Sequence, residues 1–214
     1  MNNGEGEQTF PMTQRPNDLL THLPPSKAGL PPHAVTEILL TEQQIQGRVR
    51  EIAEAITRDF PNHEEPLLLV GVLKGATLFL ADLVRHIARP VEFDFVAISS
   101  YGAATKSSGE VRILKDLDAA VAGKHVVIVE DILDTGLTLR FSYLIESLKA
   151  RHAASVSVCV LLDKPSRRRV EVPVDYRGFE IEDKFVIGYG MDFGEYYRNL
   201  PYIGVISLSE EEAI

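Results

Sequence analysis

Two adjacent acids and a turn rich in glycine and threonine form the segment of this sequence best suited to chemistry. Residues 126–139 read VVIVEDILDTGLTL, so an apolar run leads directly into Glu130 and Asp131. The stretch DTGLT follows, and a helical pattern begins after it. Backbone N–H groups at a helix start, with hydroxyl groups beside them, can bind an anion such as a phosphate. The segment therefore predicts an anion site next to two carboxylic acids.

A helix cap alone does not account for this segment. Asp134 or Thr135 could simply cap the helix that follows. A cap explains one Asp or Thr, however, and leaves two adjacent acids at the end of a buried strand unexplained. The spacings of a P-loop and of a GxGxxG dinucleotide loop are both absent.

The elements that must position these residues alternate along the chain. Apolar or alternating runs of strand length predict five strands, at 67–73, 91–99, 111–115, 125–131 and 155–163. Two more short strands are predicted near the C-terminus. Helical patterns lie between them. The first begins at Thr41 in the capping-box sequence TEQQ and ends before Pro61, the second places Leu78, Leu83 and Ile87 on one face, and the third is LTLRFSYLIESLKA. This order predicts an α/β domain with a mostly parallel central sheet.

The predicted sheet indicates where a ligand binds. Ligands of open parallel sheets lie outside the carboxyl ends of the strands. We therefore expect the chemistry at the ends of strands 67–73, 125–131 and 155–163, where the unusual residues are found.

The segment VVIVEDILDTGLT resembles the phosphoribosyl-pyrophosphate motif of the type I phosphoribosyltransferases, and the likeness continues from about residue 40 to 214. The resemblance implies that family's fold: a mostly parallel sheet flanked by helices, with a small hood contributed by terminal segments. It also implies that Glu130 and Asp131 meet the ribose hydroxyls and a bound Mg2+. The residues that would wrap the 5-phosphate are Asp134, Thr135, Gly136, Leu137 and Thr138.

Lys164, at the end of predicted strand 155–163, bears on which base is accepted. A lysine at a strand end is most often solvated. In the 6-oxopurine branch of the family, the hypoxanthine-guanine enzymes, a lysine at this place contacts the oxygen at position 6 of the purine. Such a cation disfavours a 6-amino group and argues against adenine.

The string DKFVIGYGMDF, residues 183–193, resembles the purine-binding segment of the same branch. It implies that Phe185 stacks on the base and that the main chain of Val186 pairs with the base edge. Asp192 would lie at the base site and help hold a second magnesium with the pyrophosphate, and Arg198 would also meet pyrophosphate. Taken alone, Phe185 and Val186 would read as core residues of a strand.

Two further loops match donor-binding parts of the family. The sequence LKG ends the first buried strand and corresponds to a pyrophosphate loop, which can hold a cis peptide bond; its residues are Leu73, Lys74 and Gly75. The loop SYGAATKSSGE, with Ser100 and Tyr101, corresponds to a mobile lid that would exclude water from the activated sugar.

The reaction implied is displacement of pyrophosphate from ribose C1 by purine N9, giving IMP or GMP. Asp134 is the candidate general base for the N7 proton, or else it only hydrogen-bonds N7–H. A xanthine or broad 6-oxopurine transferase is an alternative. So is a non-catalytic regulator of this fold that senses phosphoribosyl pyrophosphate. An assay with hypoxanthine would separate these three functions.

Charge and composition bear on the partners and the location of the protein. The 214 residues carry a formal net charge of −9, which does not suit general nucleic-acid binding. No apolar run approaches bilayer length and the N-terminus lacks the pattern of a signal peptide, so we expect a cytoplasmic protein without membrane contact. The single cysteine, Cys159, is expected to be a core thiol.

Residues 1–35 are expected to form a disordered or loosely packed arm and residues 36–214 the catalytic domain. The family implies a homodimer or homotetramer.

Overall fold

The computed structural model describes residues 35–100, 111–134, 138–165 and 173–206. Helices in these ranges are α1 (Glu42–Asp59), α2 (Thr77–His86) and α3 (Thr138–Ala150). Strands in the same ranges are β1 (Val35–Leu40), β2 (Leu67–Val72), β3 (Glu92–Ser100), β4 (Val111–Lys115), β5 (His125–Leu133), β6 (Ser155–Asp163), β7 (Tyr176–Glu180), β8 (Val186–Ile187) and β9 (Ile203–Ile206).

The central sheet has six strands in the order β4-β3-β2-β5-β6-β7. Strands β3, β2, β5, β6 and β7 run parallel, and β4 pairs antiparallel with β3 at the edge. The predicted α/β fold with a mostly parallel sheet is thus confirmed. Because the parallel strands share one direction, their carboxyl ends meet along one edge of the sheet.

Helices cover both faces of this sheet. Along β2, Leu67 and Leu69 pack in the cluster that contains the buried faces of α1 and α2. Leu68 and Val70 pack in the opposite cluster with residues of α3. Strand β2 is therefore apolar at every position of this run because it is buried on both faces, as its sequence predicted.

Helix α1 shows how local sequence starts and orients an element. Thr41 is its N-cap: the Gln44 N–H donates to the Thr41 hydroxyl at 3.3 Å, and the Thr41 N–H donates to the Gln44 side chain at 2.9 Å. The helix ends at Asp59, before Pro61, as predicted. Its buried side chains recur at helical spacing: Ile45, Val49, Ile52, Ala53 and Ile56.

A second, three-stranded antiparallel sheet is built from terminal parts of the described chain, in the order β1-β9-β8. Strands β1 and β9 pair from Val35 with Ile206 to Leu40 with Ile203. This small sheet is the predicted hood. The expected arm, residues 1–35, lies outside the described residues except for Val35, which begins β1.

Several sequence predictions were wrong in detail. Within the described residues, the first element is β1, which precedes the expected start at Thr41, and β7 was not predicted. Strand β5 continues two residues past 131, since Leu133 still pairs with Asp163 of β6. In α2 the side chain of Leu78 is exposed, and the buried positions are Phe79, Leu80 and Leu83. The other two residues predicted on the apolar face, Leu83 and Ile87, are buried as expected, so the prediction was wrong only at Leu78.

Candidate active site

A pocket of about 190 Å³ opens at the carboxyl edge of the central sheet. It lies beyond the ends of β5 and β6, and the segment that begins with β8 forms its far wall. The structure thus brings together six of the residues that the sequence singled out: Asp131, Asp134, Lys164, Phe185, Val186 and Asp192. Ile132 and Met191 complete the lining. Asp131, Asp134 and Lys164 converge because parallel strands deliver their ends to one edge, whereas the other three come from the segment around β8 in the second sheet.

The two adjacent acids are buried, with Glu130 5% and Asp131 7% exposed. Burial raises the pKa of Asp131, while hydrogen bonds with the Glu130 carboxyl and the Ile132 N–H lower it; the net direction is upward. The Ile132 N–H donates to Asp131 Oδ1 at 2.9 Å. Buried carboxyls of this kind are costly to ionise unless a cation is near.

Glycines let three backbone segments meet beside Asp131. A Cβ on Gly75 would overlap the Asp131 carboxylate, and a Cβ on Gly190 would overlap the Gly75 carbonyl oxygen. Gly190 also has φ of 102°, a left-handed conformation that suits glycine. The peptide bond between Leu73 and Lys74 is cis, as the sequence allowed. The loop after β2 is therefore pressed between the acid of β5 and the segment after β8.

Gly190→Ala is expected to destabilise the protein by more than about 2 kcal/mol, because its Cβ would strike backbone and its φ would be unfavourable. Gly47→Ala is the matched control. No atom lies within 4 Å of a Cβ added at Gly47, in the middle of α1, so this change should stabilise by about 0.5–1 kcal/mol. Urea unfolding of both variants measures the two effects. Equal stability of Gly190→Ala and the wild-type protein would contradict the predicted close approach.

Lys164 is buried at the end of β6, with 7% of the residue exposed. The backbone N–H of Lys164 donates to the Leu133 carbonyl at 3.1 Å, which fixes this backbone to the end of β5. Its ammonium nitrogen lies 3.8 Å from Asp183 Oδ1. The preceding residue, Asp163, is fully buried and pairs with Arg177 Nε at 2.8 Å. A burial this deep is unusual for a lysine and matches a role in the pocket better than solvation.

The lining of the pocket also includes an aromatic ring that is partly exposed to solvent. Phe185 is 44% exposed and packs edge-to-face on Phe193, with ring centroids 5.7 Å apart. Val186 is buried and pairs with Val205 in the hood. The Phe185 ring is therefore partly accessible to a flat partner, as stacking requires.

Hydrogen bonds to the helices hold the segment after β8. The Tyr189 hydroxyl donates to Asp82 Oδ2 at 2.7 Å, and the Gln46 amide donates to the same oxygen at 2.5 Å. Burial and the bond to Asp82 raise the pKa of Tyr189, so its hydroxyl stays protonated and remains a donor. Tyr189 adopts φ of 48°, which this network stabilises.

A cluster of charges adjoins the pocket and shares Asp192 with its lining. Arg198 Nη2 pairs with Asp192 Oδ1 at 2.7 Å, and Arg198 Nη1 donates to the Gly190 carbonyl at 2.7 Å. Lys74 Nζ pairs with Glu195 Oε2 at 2.7 Å. The hydrogen bond from Lys74 lowers the pKa of Glu195. Two cations from distant parts of the chain thus face the same region, as a polyanion would require.

Five residues of this region were not predicted from the sequence: Ile132, Asp163, Asp183, Met191 and Glu195. Asp163 ends an apolar strand run directly before Lys164, the same signal that singled out Glu130 and Asp131. Glu195 stands three residues before Arg198, a spacing that could have suggested a pair. Met191 and Asp183 lie within the string 183–193 but carried no separate signal.

The remaining predicted site residues are placed only in part. Tyr101 and residues 135–137 lie outside the described residues. Ser100 ends β3 and Thr138 begins α3, and only their backbones are described.

Within the described ranges no three His, Cys, Asp or Glu side chains converge as a metal site. No helix of these ranges is long and apolar enough to cross a membrane. Cys159 is fully buried, and burial raises the pKa of its thiol, as expected for a core residue.

The fold and the site together define a nucleotide-forming transferase of the phosphoribosyl type. A profile of the phosphoribosyl transferase domain matches residues 35–194. The chain belongs to the phosphoribosyltransferase family.

Within the family, the chain is similar to hypoxanthine-guanine phosphoribosyltransferases. It is 49% identical to the enzyme of that name from Bacillus subtilis over 174 residues, which cover 81% of this chain and 94% of the relative. It is 47% identical to the one from Mycobacterium avium over 187 residues, 86% and 91% of the two chains. A crystal structure of a hypoxanthine-guanine phosphoribosyltransferase from Bacillus anthracis matches with a TM-score of 0.75 and 44% identity, covering 81% of this chain and 99% of that one.

Proposed function

We propose that the protein transfers the 5-phosphoribosyl group of phosphoribosyl pyrophosphate to N9 of hypoxanthine or guanine, giving IMP or GMP and pyrophosphate in purine salvage. The observation that carries this proposal is a pocket lined together by buried Lys164, the exposed ring of Phe185 and Asp134. Relatives that bear the hypoxanthine-guanine name support it.

The base fits between the end of β6 and the wall formed by β8. Phe185 stacks on the purine ring, since its aromatic face is accessible. Lys164 donates to the oxygen at position 6, and lysine is a donor only, so a 6-amino group would meet it unfavourably. The Val186 main chain pairs with the base edge. Asp192 lines the same pocket and lies between the base site and the pyrophosphate site.

The donor lies along the carboxyl ends of β2 and β5. Glu130 and Asp131 accept hydrogen bonds from the ribose hydroxyls. The turn that begins at Asp134 wraps the 5-phosphate with N–H groups at the start of α3. The pyrophosphate meets the charge cluster that adjoins the pocket, through the loop at Lys74 and through Arg198.

Two kinds of group in the chain act on the reacting atoms. Asp134 accepts the proton from purine N7 as N9 attacks C1. Lys74 and Arg198 stabilise the negative charge that grows on the departing pyrophosphate. Phe185 and Lys164 hold the base so that N9 faces C1, and this positioning removes much of the entropic barrier.

The site also suits Mg2+, although three side chains do not converge on one point in the described ranges. Mg2+ is usually held by one or two carboxylates plus substrate phosphates and water. The adjacent buried pair Glu130 and Asp131 fits that role, and Asp192 fits a second ion at the pyrophosphate. When bound, the metal offsets the negative charge of the pyrophosphate.

One assay tests the proposed activity. Purified protein is mixed with Mg2+, phosphoribosyl pyrophosphate and, separately, hypoxanthine, guanine, xanthine or adenine, and nucleotide formation is measured. We expect IMP and GMP and no AMP. Efficient XMP formation would favour a broad 6-oxopurine enzyme, and donor binding without nucleotide formation from any base would favour a regulator of the same fold.

Asp131→Asn is expected to separate stability from function. Because burial raises the Asp131 pKa above its unfolded value, ionising it in the folded state is unfavourable. That penalty is present at pH above the folded pKa and disappears as pH falls below the unfolded pKa. The variant should therefore be more stable than wild type near pH 7 to 8, with the difference shrinking toward pH 4, while donor affinity falls. Thermal unfolding across pH and titration with the Mg2+-donor complex measure both; lower stability at pH 8 would contradict the assignment.

The same family likeness supports cytoplasmic location and assembly as a homodimer or homotetramer. A Trypanosoma cruzi hypoxanthine phosphoribosyl transferase with 41% identity and a TM-score of 0.75 comes from work on its C-terminal region and oligomeric state. Sedimentation of this protein would establish its own assembly.

A further inference from the structure

We propose that Glu195 is an internal counter-anion that occupies the pyrophosphate cations of the free enzyme and is displaced when pyrophosphate or the donor binds. The proposal rests on the proposed function, because it takes Lys74 and Arg198 as the groups that receive pyrophosphate. It adds a residue that sets how tightly the enzyme holds its donor and its product.

One carboxylate oxygen of Glu195 lies near both cations. Oε2 is 2.7 Å from Lys74 Nζ and 3.6 Å from Arg198 Nη2. Lys74 belongs to the loop after β2, whereas Arg198 stands in the C-terminal segment. A single negative group therefore bridges two parts of the chain that a pyrophosphate would also have to bridge.

The backbone around Glu195 is built to hold it there. Gly194 and Glu195 both have positive φ, 57° and 74°, and Glu is uncommon in that conformation. Phe193 and Tyr196 close the turn by exchanging N–H···O bonds of 3.2 and 3.1 Å. The Glu195 N–H donates to Asp192 Oδ2 at 2.8 Å. An unusual conformation kept in place by several bonds beside a binding site suggests a functional constraint.

The Lys74–Glu195 ion pair is exposed enough for a ligand to replace Glu195. The Lys74 and Glu195 side chains are 65% and 63% exposed, and ion pairs this open add little stability. Glu195 carries one negative charge, whereas pyrophosphate carries several and can meet both cations with separate oxygens. The ligand should therefore win this competition, but its affinity is reduced by the cost of displacing Glu195.

The test is calorimetric titration of the full-length protein with magnesium pyrophosphate. Glu195→Gln keeps the size and the backbone of the turn but removes the competing charge. We expect its pyrophosphate dissociation constant to fall by about 2- to 5-fold, and pyrophosphate to inhibit nucleotide formation at correspondingly lower concentration.

Glu92→Gln is the matched control. Glu92 pairs with Lys124 at 2.6 Å, also a lysine–glutamate ion pair, but at the start of β3 on the opposite edge of the sheet. Glu92→Gln makes the same change in net charge but far from the proposed pyrophosphate site. The affinity of this variant for pyrophosphate should therefore stay within about 1.5-fold of wild type. In a Lys74→Met background, Glu195→Gln should give a smaller gain, because one of the contested cations is gone.

The outcomes separate the two proposals. Wild-type protein that makes IMP, with pyrophosphate affinity unchanged or weakened in Glu195→Gln, overturns the counter-anion role and leaves the proposed function intact; weakening would assign Glu195 to the bound complex. An equal gain in Glu92→Gln would reduce the effect to net charge and also overturn it. Wild-type protein that neither binds pyrophosphate nor makes nucleotide overturns both.

Discussion

Asp134→Asn is expected to lower the turnover number with hypoxanthine by about 100- to 10,000-fold while changing donor affinity only a few-fold. The amide keeps the size and hydrogen-bonding capacity of the side chain but cannot take up a proton. The proposed role of base rests on the position of Asp134, which follows β5 directly and lines the pocket with Lys164 and Phe185. The turn it begins is the proposed cradle for the 5-phosphate.

The measurement is the turnover number across pH, together with the dissociation constant for phosphoribosyl pyrophosphate. Asp118→Asn is the control, since Asp118 lies in the loop after β4 and its side chain is 82% exposed. That change should leave both quantities close to wild type. An unchanged turnover number in Asp134→Asn would show that Asp134 only hydrogen-bonds N7–H. A matching loss of donor affinity would make it chiefly a phosphate-loop residue.

Lys164→Met is expected to lower the specificity constant for hypoxanthine and guanine by at least about 100-fold, while donor binding survives. A site that provides a hydrogen-bond partner for a substrate group loses much of its discrimination when that partner is removed. Methionine preserves most of the length and apolar volume of the lysine stem. The acids of β5 and the phosphate turn are untouched, so the donor should bind nearly as before.

The experiment compares specificity constants for hypoxanthine, guanine and adenine with donor affinity. Lys149→Met is the control, because Lys149 lies in the last turn of α3 with a 58% exposed side chain and pairs only with nearby Glu146 among the described ion pairs. Equal losses of base and donor binding would make Lys164 structural, through its contacts with Leu133 and Asp183. Efficient use of adenine by wild-type protein would overturn the 6-oxopurine assignment.

The sequence by itself determined the alternation of elements and the identity of the chemical groups. Strand β2 is apolar at successive positions because both its faces are covered, and the capping box fixes the start of α1 through bonds between residues three apart. Such features depend on local contacts and on burial patterns, which a linear sequence records. The segment 126–139 likewise carries its acids and its turn within a few residues.

Tertiary structure decided which distant groups meet. The hood pairs β1 with β9, and the contact of Gly190 with the Gly75 carbonyl joins two loops more than a hundred residues apart. Strand β7 escaped prediction because YRGFE has no clean alternation and is fixed by pairing with β6. The contact between Glu195 and Lys74 depends on a turn with positive φ and on the meeting of separate segments. Local sequence contains the groups, but only the packing of the sheet edge against the hood sets the distances between them.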